Sequence, residues 1–183
     1  FATGEVPAGN ADDLMSFRYS IEVTDDGYKY VNVDVEQAQF DGKTMEEKRA
    51  IAKKAIMSKF AKQVIGYKDD APVVGTLKTA KEYAYADKRS YTDAARDAKM
   101  RASTELDALL DVSKFMDHAD YEEVKEKHPE AVGGIDHYKT VFKVGKDWYV
   151  GVVNILNQKR VRTFYDVTKI RSIDQNKIPT EIG

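Results

Sequence analysis

Cysteine is absent from the 183 residues, which excludes disulfides, thiolate nucleophiles and thiolate metal sites. Histidine occurs three times, and without cysteine beside it a structural zinc site is not expected. No apolar run approaches the roughly 20 residues needed to span a bilayer, and no charged-then-apolar leader opens the chain, so no membrane association is expected. The phosphate-cradling GxxxxGK[ST] and GxGxxG patterns, the zinc-binding HExxH and the GxSxG elbow are missing as well. Neither a metal nor a cofactor is therefore expected. Charge of one sign is also lacking: Lys+Arg 29 against Asp+Glu 31 leaves a net charge of -2. Such a balance names no partner, yet a local basic face still suits an anionic one. The chain opens Phe1-Ala2-Thr3, without an initiator Met, and is expected to be part of a larger polypeptide.

What is present reads as a flexible arm over residues 1–17 followed by a single α+β domain over 18–183. Arg18-Tyr19-Ser20-Ile21-Glu22-Val23 alternates with period two. Asp26-Gly27 then supplies a turn, and residues 28–35 alternate again, so a β-hairpin, or an arm followed by the first strand of the domain, is predicted. Thr44-Met45-Glu46-Glu47 is a capping box that starts a helix with Ile51, Ala55, Ile56 and Phe60 on one face and Gly66 as its stop. A loop with one short strand at Val73-Val74 is expected over 68–75, where Asp69-Asp70 reads as solvated. A short helix is expected over 79–86 and a long one over 92–110, with Ala95, Ala98, Ala102, Leu106, Leu109 and Leu110 as its apolar stripe. Residues 117–134 read as a long surface loop with a helical turn at 121–126.

From Tyr138 the period changes to two. Three consecutive strands follow, around a turn at Gly145-Lys146-Asp147 and another at Asn157-Gln158-Lys159, with 167–173 closing the sheet. Helices first and sheet last imply α+β: N-terminal helices packed on a C-terminal antiparallel sheet of four to five strands.

The residues that carry chemistry gather at that sheet. His118, His128 and His137 fall in the segment feeding it, and Lys139, Thr140, Arg160, Arg162, Thr163, Tyr165 and Thr168 lie along it. Imidazole exchanges protons near neutral pH. Lys or Arg stabilises charge on a phosphorane-like transition state, while Tyr and Thr hydroxyls add directed hydrogen bonds. That set suffices to cut RNA through its 2′-hydroxyl without a metal. Tyr138, Trp148, Tyr149 and Phe164 read as packing residues rather than base-stacking platforms.

His137-Tyr138-Lys139-Thr140-Val141-Phe142, the run from Val144 through Trp148-Tyr149-Val150-Gly151, and Phe164-Tyr165-Asp166-Val167-Thr168-Lys169-Ile170 together resemble the C-terminal sheet of barnase/EndoU/colicin E5-D/RelE-like (BECR) domains. The segment Ala102-Ser103-Thr104-Glu105-Leu106-Asp107-Ala108-Leu109-Leu110 resembles their helical part. Such domains end phage and mobile-element polyvalent proteins and polymorphic toxins. The resemblance implies helices on one face of the sheet and RNA on the other, a metal-independent ribonuclease often acting on transfer RNA, an immunity protein as partner, and action in the cytoplasm of a target or host cell. Matched by position, His137, Lys139, Thr140, Arg162, Tyr165 and Thr168 are the catalytic candidates, with His118, His128 and Arg160 as candidates for binding substrate. Two other readings stand beside it: a non-catalytic interaction module that binds a partner by strand addition, and an ADP-ribosyltransferase toxin.

Overall fold

The computed structural model of the chain describes residues 20–33, 37–85 and 92–182. The arm expected over 1–17 lies outside them. Eight strands join in one sheet, in the order β1(Ile21–Val23), β2(Lys29–Val33), β6(Ile135–Val144), β7(Asp147–Asn157), β8(Arg162–Ile173), β4(Ala71–Val74), β3(Val64–Lys68), with β5(Lys114–Ala119) also on β6. The predicted hairpin is β1–β2, in the register Ile21↔Val31, closed by Gly27 at φ 89. The predicted meander is β6–β7–β8, both pairings antiparallel.

The four-to-five-stranded antiparallel sheet expected from sequence is corrected to this larger, mixed one. The two short hairpins attach to opposite sides of the meander, and each does so through a parallel pairing: β2 with β6 (Val31↔Phe142) and β4 with β8 (Val73↔Arg162). Pairing between strands more than 80 residues apart leaves no local trace in sequence, which is why the β1–β2 hairpin and the meander were legible but not the pairings that join them.

Helix α1(Met45–Lys59) starts at the predicted capping box: the Thr44 hydroxyl accepts from the Glu47 amide at 3.2 Å, and the Glu47 carboxylate accepts from the Thr44 amide at 2.9 Å. It ends at Phe60 rather than Gly66. Lys62 turns the chain with φ 62 and donates its amide to the Gly75 carbonyl, and Val64–Lys68 then forms β3. Asp69 and Asp70, at φ 52 and 64, make the tight turn to β4, where a loop was expected. Helix α2(Leu77–Ala84) follows, capped by Thr76.

The predicted long helix is three pieces: α3(Asp93–Arg101), a 3₁₀ turn at Ala102–Glu105, and α4(Leu106–Val112). Side chains claim the carbonyls at the break, Gln37 donating to Arg101 O and Lys59 to Thr104 O. The long loop expected over 117–134 is overturned at its start, because Lys114–Ala119 pairs with β6. A bulge between Phe115 and Asp117 breaks the period-two pattern there. Helix α5(Tyr121–Val124) occupies the predicted helical turn, and α6(Ile178–Ile182) ends the described chain.

Helices α1 to α4 bury their apolar stripes on the inner face of the sheet. Ala52, Ile56, Tyr83, Ala98, Leu106 and Leu110 meet Val31, Tyr138, Phe142, Val153, Phe164 and Val167 there. The sheet curls around them: Lys68 of β3 donates to the Ser113 carbonyl just before β5 at 2.7 Å, and the Tyr138 hydroxyl of β6 donates to Asp69 at 2.9 Å. The outer face carries two smaller covers. At one end α6 lays Ile178 on Tyr30, Val141, Trp148 and Val150. At the other, α5 and the loop after it bring Val124 and Ala131 against Ile135, Leu156 and Tyr165. Among the described residues no helix is long and apolar enough to cross a membrane.

Candidate active site

Successive residues of a strand point to opposite faces, so the burial of Tyr138 and Phe142 in the inner core turns His137, Lys139 and Lys143 outward. Directly opposite on β7 stand Asn154 beside His137 and Val152 beside Lys139, and Thr168 of β8 continues the second row. Asn154 donates its amide to the Thr168 hydroxyl at 3.0 Å. Between the two covers, the outer face therefore has a strip of half-buried polar side chains: His137, Lys139, Asn154 and Thr168. Three of the sequence candidates, His137, Lys139 and Thr168, come together here.

His137 is oriented from outside β6. Its Nδ1 lies 2.5 Å from Asp117 Oδ1 on the facing strand, and 28% of its side chain remains exposed. A carboxylate on Nδ1 fixes the tautomer that leaves Nε2 able to take a proton. Lys139 is 21% exposed, its Nζ 3.1 Å from Glu181 of α6. Arg171 of β8, in line with Val150, contacts the same carboxylate at 2.5 Å. Those two cations hold Glu181 below the usual carboxylate range.

His118 forms a second pair, its Nδ1 2.5 Å from Asp136 Oδ1. The two pairs are adjacent rungs, Asp117↔His137 and His118↔Asp136, so they project to opposite faces. Each strand contributes an Asp-His dipeptide, and antiparallel pairing of two such dipeptides produces both pairs at once. That repeat is visible in the sequence, but reading 117–134 as a loop hid it. Gly134, at φ 85, leaves room for the His118 ring; a Cβ there would come within 2.8 Å of Nε2.

The inner-face pair belongs to a clamp. Asp136 also accepts from Arg162 and from Asn157, each at 2.9 Å. Arg162 in turn donates to the Lys68 carbonyl, the Asn157 side chain and the Tyr138 hydroxyl. All three guanidinium nitrogens of Arg162 are thus engaged in tying β8, β6 and the β3–β4 turn together. Asp69, read from sequence as solvated, accepts from Tyr138 and so joins this clamp. Its other members, Asp136, Tyr138, Asn157 and Lys68, carried no local signal of their role, because they converge only when the sheet curls.

The remaining candidates lie elsewhere. Thr140 is fully buried on the inner face, where its hydroxyl donates to the Leu109 carbonyl, and this corrects its place among the catalytic candidates. Tyr165 packs edge-on against His128 at 4.8 Å between ring centres, with the Lys78 ammonium over its ring. Burial pushes the His128 imidazole below its ordinary value and the Tyr165 phenol above its own. This pair borders the strip on the α5 side. Arg160 is exposed in the turn between β7 and β8. No group of three or more metal-ligating side chains occurs among the described residues.

Comparison with protein-family models, with characterised proteins and with solved structures gives no match.

Proposed function

We propose that the chain is a metal-independent ribonuclease that cuts RNA on the outer strip of the sheet. The observation that carries this reading is the Asp117-oriented His137, half-exposed on the same face as Lys139 and Thr168. In the reaction, His137 Nε2 takes the proton of a ribose 2′-hydroxyl, whose oxygen attacks the adjacent phosphorus. The P–O5′ bond breaks, leaving a 2′,3′-cyclic phosphate, and the 5′-oxygen leaves with a proton taken from solvent water, to which His137 later returns its own. Lys139 offsets the negative charge that builds on the phosphoryl oxygens, and Asn154 and Thr168 supply neutral donors to the same group.

His118 projects to the other face, so the two histidines do not serve one phosphate as acid and base. The resemblance of residues 137–173 to BECR domains agrees with helices on one face and chemistry on the other. It brings with it transfer RNA as a substrate class and a toxin or mobile-element setting with an immunity partner. Incubation with total RNA in EDTA tests the proposal. Cleavage to 2′,3′-cyclic ends is expected; intact RNA at micromolar folded protein would sink it.

One observation favours the interaction-module reading instead. Strand β5 pairs with β6 alone among the described strands, and it exposes Phe115 and Met116, 54% and 43% accessible. An unpaired edge with apolar side chains is suited to strand addition by a partner. Binding of a partner that protects the β5 amides from exchange, with no RNA cleavage, would select this reading.

A further inference from the structure

Lys139 and Arg171 come from β6 and β8, with β7 running between them, yet both place their cationic ends on one oxygen of one carboxylate. Glu181 Oε1 lies 3.1 Å from Lys139 Nζ and 2.5 Å from Arg171 Nη2. Two cations converging on a single oxyanion oxygen is the donor arrangement offered to a non-bridging phosphate oxygen. The carboxylate arrives on α6, a helix of five residues that is too short to be stable by itself. Ile178 holds it down from inside the outer cluster, with Ile182 packed beside it. Beside the pair lies an open groove of about 630 Å³, where Lys146, Arg171 and Lys177 stand with Trp148 and with the carboxylates of Asp147 and Asp174.

We propose that Lys139 and Arg171 form a phosphodiester-binding site for a single-stranded nucleic acid, and that Glu181 occupies it as an internal stand-in for phosphate. The inference goes beyond the cleavage reaction, because it concerns binding and requires no bond to be cut. A linear polyanion fits better than an isolated phosphate. Lys139 and Lys143 lie four residues apart on one face of β6, about 14 Å along a strand, so together with Arg171 that face offers repeated positive positions rather than one pocket. Lys143 sits over the ring of Trp148, 5.2 Å from its centre, and Trp148 lines the groove. The Arg171 side chain is 54% exposed, and ion pairs at such positions hold weakly, so a chain that brings several phosphates at once displaces one carboxylate. Movement of α6 away from the sheet then frees Lys139 and Arg171.

The test is binding of a fluorescent ten-residue 2′-O-methyl RNA, which has no free 2′-hydroxyl and reports affinity without cleavage. Glu181→Gln is expected to bind at least tenfold more tightly than the wild type. The log–log dependence of affinity on salt should steepen by about 1.4, as two more cations meet phosphates of a single strand. Arg171→Ala placed in the Glu181→Gln background is expected to reverse the gain, and near-ultraviolet circular dichroism of Trp148 checks that the fold persists. Unchanged affinity in Glu181→Gln, or a gain that survives Arg171→Ala, overturns the proposal. Tighter binding of a phosphopeptide of equal charge overturns the assignment to nucleic acid. Unmodified RNA assayed alongside keeps the two ideas separate: absence of cleavage with a positive binding result sinks the ribonuclease, and cleavage with no Glu181 effect sinks the internal stand-in.

Discussion

Asp166 and Lys99 are the most deeply buried charged pair among the described residues, 3.0 Å apart with the Lys99 side chain only 1% exposed. The Asp166 carboxylate also accepts the Val167 amide at 2.7 Å, and burial pushes its pKa up to about 6. Removing one partner strands the other charge, so Lys99→Met is expected to destabilise the fold by about 3–5 kcal/mol. A double change to Met and Leu should recover most of that loss in a denaturant melt. The raised value also fixes a sign. The native state holds a proton on Asp166 that the unfolded chain has already released between about pH 4 and pH 6, so the contribution of this group is full below the unfolded value. It is lost as pH rises through about 6. Relative to Asp166→Asn, wild-type stability should fall as pH rises across that window; a flat difference would contradict it.

At the same scale, individual residues show what the sequence could and could not reveal. His137, Lys139 and Thr168 were legible because period two in β6 and β8 puts them on one face. Thr140 was misread because residue type alone does not say which face is buried; Tyr138 and Phe142 on either side decide it. Asp117 and Asp136 were missed because their partners lie about 20 positions away, across a strand whose bulge disguised it.

Among the elements, helix α1 was the clearest from sequence, since a capping box is a local motif. Thr44→Ala removes the hydroxyl that accepts the Glu47 amide and is expected to cost about 1 kcal/mol, read as a shift in denaturant midpoint. The β3–β4 turn was obscured by having no glycine. Asp69 and Asp70 both adopt left-handed angles, which cost a non-glycine residue roughly 1–2 kcal/mol each. Glycine at position 70 recovers this and returns about 0.5–1 kcal/mol to unfolded-state entropy. Asp70→Gly should therefore stabilise by about 0.5 kcal/mol, whereas Asp69→Gly also loses the bond from Tyr138 and should not. Helices α3 and α4 were read as one because their apolar stripe continues through the 3₁₀ turn, while the side chains that take its carbonyls come from the segment before α1 and from α1 itself.

On the scale of the whole molecule, the inner and outer faces of one sheet have separate duties. The inner face holds the helices, and the Arg162 clamp ties together the strands where the sheet curls. The outer face leaves a polar strip open between two small covers. His118 and His137, on adjacent rungs but opposite faces, separate these duties within a few ångströms. The claim that the outer strip is the reactive one is tested most directly by comparing His137→Ala with His118→Ala for cleavage of RNA in EDTA, each checked for folding. His137→Ala is expected to lower the rate by about 10²–10⁴ and His118→Ala to leave it near wild type. The reverse order, or equal loss in both, would contradict the account.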